Sequence, residues 1–174
     1  IMINAVGGAY TISGNTISGV ESSATGLTSG IHIGATTAAG TIQKNIIHDV
    51  YSRNLGGAAG INMANVANGM VIQNNFIYTI KNNLGFTFST LTRNVHGILV
   101  NSGSNHKIYH NSIHLFHAST ATSSNFIACL TINNSGQTGI DIRNNIFVNT
   151  VSGGTASDAY VAIMMPFAAA GTMN

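Results

Sequence analysis

Short apolar runs recur along the chain at a nearly constant interval. Five segments share one arrangement around a central asparagine, namely YTISGNTISGV, GTIQKNIIHDV, MVIQNNFIYTI, HKIYHNSIHLF and GIDIRNNIFVN. A second series of short runs, IMIN, GIHIG, GINMA, GILVN, CLTIN and YVAIM, recurs in step with the first. Two series that keep the same period of about 30 residues predict a repeat architecture. The shared asparagines are Asn15, Asn45, Asn75, Asn111 and Asn145, spaced by 30, 30, 36 and 34 residues.

The runs of the second series alternate apolar and polar residues, as in Ile31 and Ile33 or Ile61 and Met63, which predicts half-buried β-strands. Gly, Asn and Ser turns between them leave no room for helices. A unit of two or three short strands buries its apolar face only by stacking on its neighbours. We therefore predict an all-β parallel solenoid of about five to six coils. It forms one segment over residues 1–174, which we expect to be a window of a longer polypeptide.

The recurring asparagine predicts a ladder at one turn of each coil. Stacked amides hydrogen-bond to one another and to turn backbone, and asparagine tolerates the left-handed conformation of sharp bends. This role is structural, so we expect Asn45→Ala to destabilise the protein rather than to inactivate it.

The composition of the chain limits the kinds of partner that we expect it to bind. Only 6% of residues are charged, with six Lys/Arg against four Asp/Glu, which is too sparse for a surface that tracks nucleic-acid phosphates. The chain contains no apolar run of about 18 residues, so the sequence predicts no membrane span. The single Cys129 excludes an internal disulfide and a cysteine-based zinc site. It stands where Gly30, Gly60 and Gly97 begin other strands, which predicts a small buried residue.

The seven histidines do not predict a metal site, and no cofactor is implied. On an extended chain, His106, His110 and His114 lie roughly 13 Å apart, too far for zinc–nitrogen bonds of about 2 Å. His48, Tyr78 and His114 recur three residues after the ladder asparagine, which predicts an outward polar-aromatic surface.

The acidic residues argue against catalysis within this segment, although they leave it open. Asp49 follows its ladder asparagine by four residues and Asp141 precedes its own by four, so they occupy different faces. Glu21 and Asp158 fall in variable turns at opposite ends. Glycoside hydrolysis usually needs two carboxyl groups about 5–9.5 Å apart, and calcium needs 6 to 8 oxygen ligands. We assign no catalytic residue.

Two turns are longer than the others. We expect the fifth residue after each ladder asparagine to point inward, and we counted the residues from it to the next strand of the second series. Three coils have an interval of 11 residues. The interval is 18 from Ile80 to Ile98 and 14 from Phe116 to Leu130. Insertions in solenoids often form the binding face. Alternatively, the phenylalanines fold back to cap a thickened core. The candidate ligand-binding residues here are Lys81, Phe86, Phe88, Arg93, His96, His117 and Phe126.

The motif I-x-x-N-x-I resembles the right-handed parallel β-helix repeat of the pectate-lyase-like superfamily. More closely, KIYHNSIHLF followed by GIDIRNNIFVN resembles repeats in large secreted proteins of Bacteroidetes-type bacteria. The resemblance implies right-handed coils and a secreted, extracellular or cell-surface location. It does not select an activity, because such repeats occur in lyases, hydrolases and adhesins alike.

Three functions follow as hypotheses. The first is a non-catalytic extracellular rod of adhesin type that contacts polysaccharide or another cell-surface protein. The second is a polysaccharide lyase or glycoside hydrolase with catalytic residues partly outside this segment. The third is a filament subunit, because open β-edges allow end-to-end self-association.

Overall fold

The computed structural model describes residues 1–4, 7–36, 38–53, 56–82, 94–119, 126–156 and 158–165, and all regular secondary structure among them is β-strand. The strands are β1 (Met2–Ile3), β2 (Tyr10–Ser13), β3 (Thr16–Ile17), β4 (Val20–Ser22), β5 (Thr28–Ala35), β6 (Gly40–Gln43), β7 (Ile46–Ser52), β8 (Ala58–Asn65), β9 (Val71–Gln73), β10 (Phe76–Asn82), β11 (Val95–Val100), β12 (Lys107–Tyr109), β13 (Ser112–Leu115), β14 (Ala118–Ser119), β15 (Phe126–Ile132), β16 (Asp141–Arg143), β17 (Ile146–Asn149), β18 (Ser152–Gly153) and β19 (Ala159–Met164). Within these ranges no helix is long and apolar enough to cross a membrane.

Three large parallel sheets form the faces of the molecule, and β14 pairs with β18 in a fourth, two-stranded sheet. The first sheet has the order β1-β5-β8-β11-β15-β19. The second has the order β3-β7-β10-β13-β17, with β4 also pairing with β7, and the third has the order β2-β6-β9-β12-β16. Each strand pairs in parallel with its counterpart one coil away, so the predicted parallel β-solenoid is confirmed.

The coil count is lower than predicted. Among the described residues the solenoid has about four turns rather than five to six, because five ladder asparagines enclose only four complete intervals.

Isoleucine columns fill the interior. The residue two after each ladder asparagine lies in register on the second sheet, as Ile47, Ile77 and Ile113 do. The residue three before it forms a similar column on the third sheet. Burying such side chains contributes roughly 1.5–3 kcal/mol each. The buried isoleucines of these two columns, and of the first-sheet column in register with Ile61, are Ile12, Ile31, Ile42, Ile47, Ile61, Ile72, Ile77, Ile98, Ile108 and Ile113.

Glycines form a column where the first sheet meets the second. A Cβ atom added at Gly60 would lie 2.5 Å from Ile77 Cγ2 and 2.7 Å from the carbonyl oxygen of Gly97. Gly30 and Gly97 have equally close neighbours. In this glycine column, absence of a side chain lets the two sheets approach. Cys129 takes the same position one coil later and is fully buried, as predicted.

The left-handed residue at the main bend is not the ladder asparagine, which corrects one expectation. The residue immediately before each ladder asparagine has a φ between 53° and 71°. The bend therefore precedes the amide, and the ladder residue itself has ordinary backbone geometry. The left-handed residues are Gly14, Lys44, Asn74, His110 and Asn144.

A second left-handed residue, four after the ladder asparagine, occurs at Gly19, Asp49 and Thr79 but not at Leu115. In the coils that have it, the bend moves the inward position to the fifth residue. Without it, strand alternation continues, so Leu115 is buried and Phe116 is 42% exposed. The expectation that Phe116 points inward was wrong for this reason. Thr150 is likewise exposed, while Val151 is buried in its place.

Candidate functional site

The asparagine ladder is continuous from the first to the last of its five members. The backbone N–H and the Nδ2 of each asparagine donate to Oδ1 of the next, at 2.8–3.1 Å. Nδ2 of Asn45, Asn75, Asn111 and Asn145 also donates to an isoleucine carbonyl of the preceding coil. Asn45, Asn75 and Asn111 are at most 2% exposed. The amides are thus occupied by the scaffold, as the structural interpretation predicts.

Part of the predicted long-turn site, namely Phe86, Phe88 and Arg93, lies outside the described residues. The remaining members are divided between two sheets. Lys81 lies on β10, and His117 follows β13. Phe126 begins β15 on the first sheet and is half-buried, with its backbone N–H bonded to Asn94 Oδ1.

His96, another member of the predicted long-turn site, is buried rather than exposed, and its ligand-binding role stays a prediction. Every residue of β11 is buried, so this strand is covered on both faces rather than half-buried as its alternation predicted. His96 is fully buried, and its Nδ1 lies 2.8 Å from Thr131 Oγ1 on β15. Its neighbours in register, Ala59 and Ala128, are small and also buried, so the imidazole fills the space above them.

Lys81 and His117 are electrostatic neighbours. Burial first, and then the Lys81 ammonium, lower the pKa of His117 to about 4. Neither ring nitrogen of His117 has a hydrogen-bond partner among the described residues. The imidazole is therefore neutral at physiological pH and adds no charge to this region.

A column of polar residues includes Lys81 and was missed by the sequence analysis. Glu21, Tyr51 and Lys81 pair in register on three successive coils. Lys81 Nζ lies 4.9 Å and Arg53 Cζ 5.2 Å from the centroid of the Tyr51 ring. Arg53 also forms an ion pair with Glu21. Their shared position, six residues after a ladder asparagine, was the signal that could have identified the column.

The outward face of the second sheet carries two rows of side chains. His48 and Tyr78 are stacked at 4.7 Å with an interplanar angle of 6°, and Phe76 packs against Tyr78 at 4.8 Å. His114 packs in the same way against the exposed Phe116. The predicted polar-aromatic surface is therefore present. We call this outward face, comprising Ile46, His48, Phe76, Tyr78, His114, Phe116, Ile146 and Val148, the aromatic face.

Large apolar side chains make up much of the exposed area of the aromatic face. Ile46, Phe76, Phe116 and Ile146 are 41–62% exposed. Because His48 and Tyr78 stack along the solenoid axis, they turn ring edges toward solvent. Asp49 is the only carboxylate on this sheet's central strands, and its Oδ2 lies 2.7 Å from His48 Nδ1. The surface therefore suits an uncharged partner better than a charged one.

Each of the four carboxylates is held by a scaffold group. Asp49 lies on the second sheet and Asp141 on the third, so their predicted separation is confirmed. Glu21 lies in β4 rather than in a variable turn, because this segment extends the pairing with β7. A hydrogen bond from the Tyr109 hydroxyl is the main cause that holds the pKa of Asp141 below its usual value. The pairs are Glu21 with Arg53, Asp49 with His48, Asp141 with Tyr109 and Arg143, and Asp158 with Thr155 and Tyr160.

Within the described part of the chain, no three His, Cys, Asp or Glu side chains are grouped so that they could hold a metal ion. His106 is buried and bonded to backbone groups, whereas His110 is exposed. These two histidines therefore lie in different environments, one inside the solenoid and one at its surface.

No match was found. Comparisons with protein-family models, with curated proteins and with solved structures all find no similar protein.

Cys129 provides a test of the buried first sheet. Burial is the main cause that raises the pKa of its thiol to about 12. At pH 8 the thiolate fraction is then roughly 10⁻⁴, against about a quarter for a free cysteine. We expect a thiol reagent such as 5,5′-dithiobis(2-nitrobenzoate) to label the native protein at least about a thousandfold more slowly than the urea-unfolded protein. Rapid stoichiometric labelling of native protein would contradict the assigned burial.

Proposed function

We propose that this protein is a non-catalytic rod segment of an extracellular or cell-surface protein, of adhesin type, whose aromatic face contacts neutral glycan. We further propose that it belongs with the right-handed β-helix repeats of the pectate-lyase-like group, in secreted bacterial proteins. The repeat motif and its ladder support this placement.

The observation that carries the proposal is the aromatic face. It combines exposed apolar side chains with the polar edges of Tyr78, His48 and His114 on parallel strands that pair in register. Sugars present C–H surfaces flanked by hydroxyls, so a partly apolar surface with polar ring edges matches them. Sparse charge favours neutral over acidic polymers.

The carboxylates support a non-catalytic role. All four are engaged by the scaffold pairs described above, and Asp49 and Asp141 lie on different sheets. An acid and a base that act on one glycosidic bond must share one cleft.

Affinity electrophoresis against neutral and uronate-containing soluble polysaccharides, with and without calcium, tests the proposal. We expect retardation by at least one neutral polymer and no release of reducing ends or unsaturated products. The double variant Phe76→Ser, Tyr78→Ser should weaken binding roughly tenfold, because it removes the central rings of the aromatic face.

Val71→Ser is the matched control, since Val71 is a partly exposed residue of the third sheet. Its binding should equal that of the wild type. Retardation that survives the double variant would exclude the aromatic face as the contact. Product release would favour the lyase or hydrolase alternative. Concentration-dependent growth in size-exclusion chromatography, without polysaccharide binding, would favour the filament alternative.

A further inference from the structure

Two turns of successive coils are joined by an unusually polar contact. The turn over residues 101–106 precedes β12, and the turn over residues 65–70 precedes β9. Val66 N–H donates to Ser102 Oγ at 2.7 Å, and Gly69 N–H donates to the Ser104 carbonyl at 2.8 Å. In return, Ser104 N–H donates to Asn68 Oδ1 at 2.8 Å. The two turns therefore hold each other through specific hydrogen bonds rather than through apolar packing alone.

His106 completes this contact and is fully buried. Its Nδ1 lies 3.2 Å from the backbone N of Met70, and its Nε2 lies 2.9 Å from the carbonyl oxygen of Ser102. A backbone N–H only donates and a carbonyl only accepts. The two partners therefore require a neutral ring with its proton on Nε2. Gly103, with φ +78°, leaves room for this ring, because a Cβ there would lie 2.7 Å from Nε2.

The surroundings of His106 offer little compensation for a charge. Burial lowers its pKa, against a smaller opposing effect of the Ser102 and Gly103 carbonyls. Met70 lies between His106 and Tyr10, whose hydroxyl is 3.5 Å from Met70 Sδ. Lys107 is exposed next to it, and would oppose a second positive charge. Asp141, on the following coil, donates its backbone N–H to the His106 carbonyl, but its carboxylate is held by Tyr109 and Arg143.

We propose that His106 is an acid-sensitive latch between these two coils, which releases the turn over residues 101–106 from the turn over 65–70 when the ring is protonated. A proton on Nδ1 points at the Met70 N–H, so that hydrogen bond is lost and two donors face each other. The charged ring is also unfavourable in a buried site, so it gains by moving toward water.

The direction of the pH effect follows from the same geometry. The closed latch binds a neutral ring, whereas a released ring has the ordinary histidine pKa of about 6.5. The latch is therefore fully closed above about pH 6.5, and it weakens as the pH falls toward the lowered pKa of the closed state. Over that window, opening takes up one proton, so the opening equilibrium rises by up to about tenfold per pH unit.

Two measurements on the wild-type protein test the latch directly. Imidazole ¹⁵N chemical shifts should show His106 as the neutral Nε2–H form at pH 6.5, and its titration midpoint should lie below the ordinary histidine value of about 6.5. The protection factor of the Met70 amide should fall on acidification with the His106 titration. An Nδ1–H ring, or a His106 midpoint at or above 6.5, would overturn the proposal whatever the variants do.

His106→Asn tests the same point by substitution, because its side-chain oxygen can still accept from Met70 N–H but does not titrate. The pH dependence of Met70 protection between pH 6.5 and 4.5 should then be lost. His110→Asn is the matched control, since Asn74 and Asn144 occupy the same left-handed position in other coils. It should keep the wild-type dependence. Burial also lowers the pKa of His32 and His117, so the local Met70 readout is needed rather than global stability.

Discussion

Asn75→Ala is expected to lower the free energy of unfolding by about 3 kcal/mol, because it removes a side chain that makes four hydrogen bonds in a buried site. Oδ1 of Asn75 accepts from the backbone N–H and from Nδ2 of Asn45 at 3.1 and 3.0 Å. Its Nδ2 donates to the Ile42 carbonyl and to Asn111 Oδ1 at 3.0 and 2.9 Å. Truncation leaves the Asn45 N–H without a partner where water does not enter. Urea denaturation followed by circular dichroism measures the loss.

Asn15→Ala provides the matched control at the edge of the ladder. The Asn15 side chain is half-buried and only donates, to Asn45 Oδ1 and to the Ser13 carbonyl. Its loss should cost no more than about 1 kcal/mol. Asn75→Asp keeps the size but replaces the donating amide with an acceptor, so it should destabilise at least as much as alanine at neutral pH. Equal effects at Asn15 and Asn75 would mean that the ladder does not stabilise by burying its amides.

Gly60→Ala is expected to destabilise the protein by about 2–3 kcal/mol through overpacking. The added methyl group would lie 2.7 Å from the Gly97 carbonyl oxygen, a backbone atom, and 2.5 Å from Ile77 Cγ2. A side chain could turn away, but that carbonyl belongs to β11, which is paired on both sides. Strand β8 must therefore shift away from β11 within the first sheet, and Ile77 of the second sheet must move as well. The midpoint of thermal or urea unfolding reports the change.

Gly26→Ala is the control for this substitution. No atom lies within 4 Å of a Cβ at Gly26, and its φ is not in the left-handed region. The change should alter stability by less than about 0.5 kcal/mol, or raise it slightly by restricting the unfolded chain. A Gly60→Ala variant as stable as Gly26→Ala would show that the glycine column does not set the spacing of the sheets.

The sequence predicted the fold well because the repeat made one local signal visible many times. The ladder asparagines and the isoleucines at fixed offsets from them fixed both the register and the parallel pairing. What the sequence missed were local differences between coils. Phe116 was expected to point inward because the first three coils place their fifth residue there. The missing left-handed residue at Leu115 is a backbone property that the residue type does not reveal.

Less of the surface chemistry could be predicted from the sequence, and the ligand-binding role of the long turns stays a prediction. The long turns drew attention to Lys81 and His117, which the structure makes electrostatic neighbours, and to His96, which is buried. Burial of His96 depends on what covers the outer face of β11, and periodicity within one strand carries no information about that. The aromatic face could be predicted in part, because His48, Tyr78 and His114 share an offset from the ladder. The roles of Phe76 and Phe116 could not be predicted, because they depend on ring contacts that only the structure shows.

The asparagine ladder also makes the stacking of the coils independent of the number of residues in each coil. Each rung joins one amide to the next by the same bonds, although the intervals are 30, 30, 36 and 34 residues. Loop length can therefore diverge between coils, in evolution or by engineering, while the axial rise stays constant. A change in the length of a turn between two rungs would alter the outline of that turn and leave the register of the ladder unaltered. The turns of such a scaffold can therefore change while the ladder and the sheets stay the same.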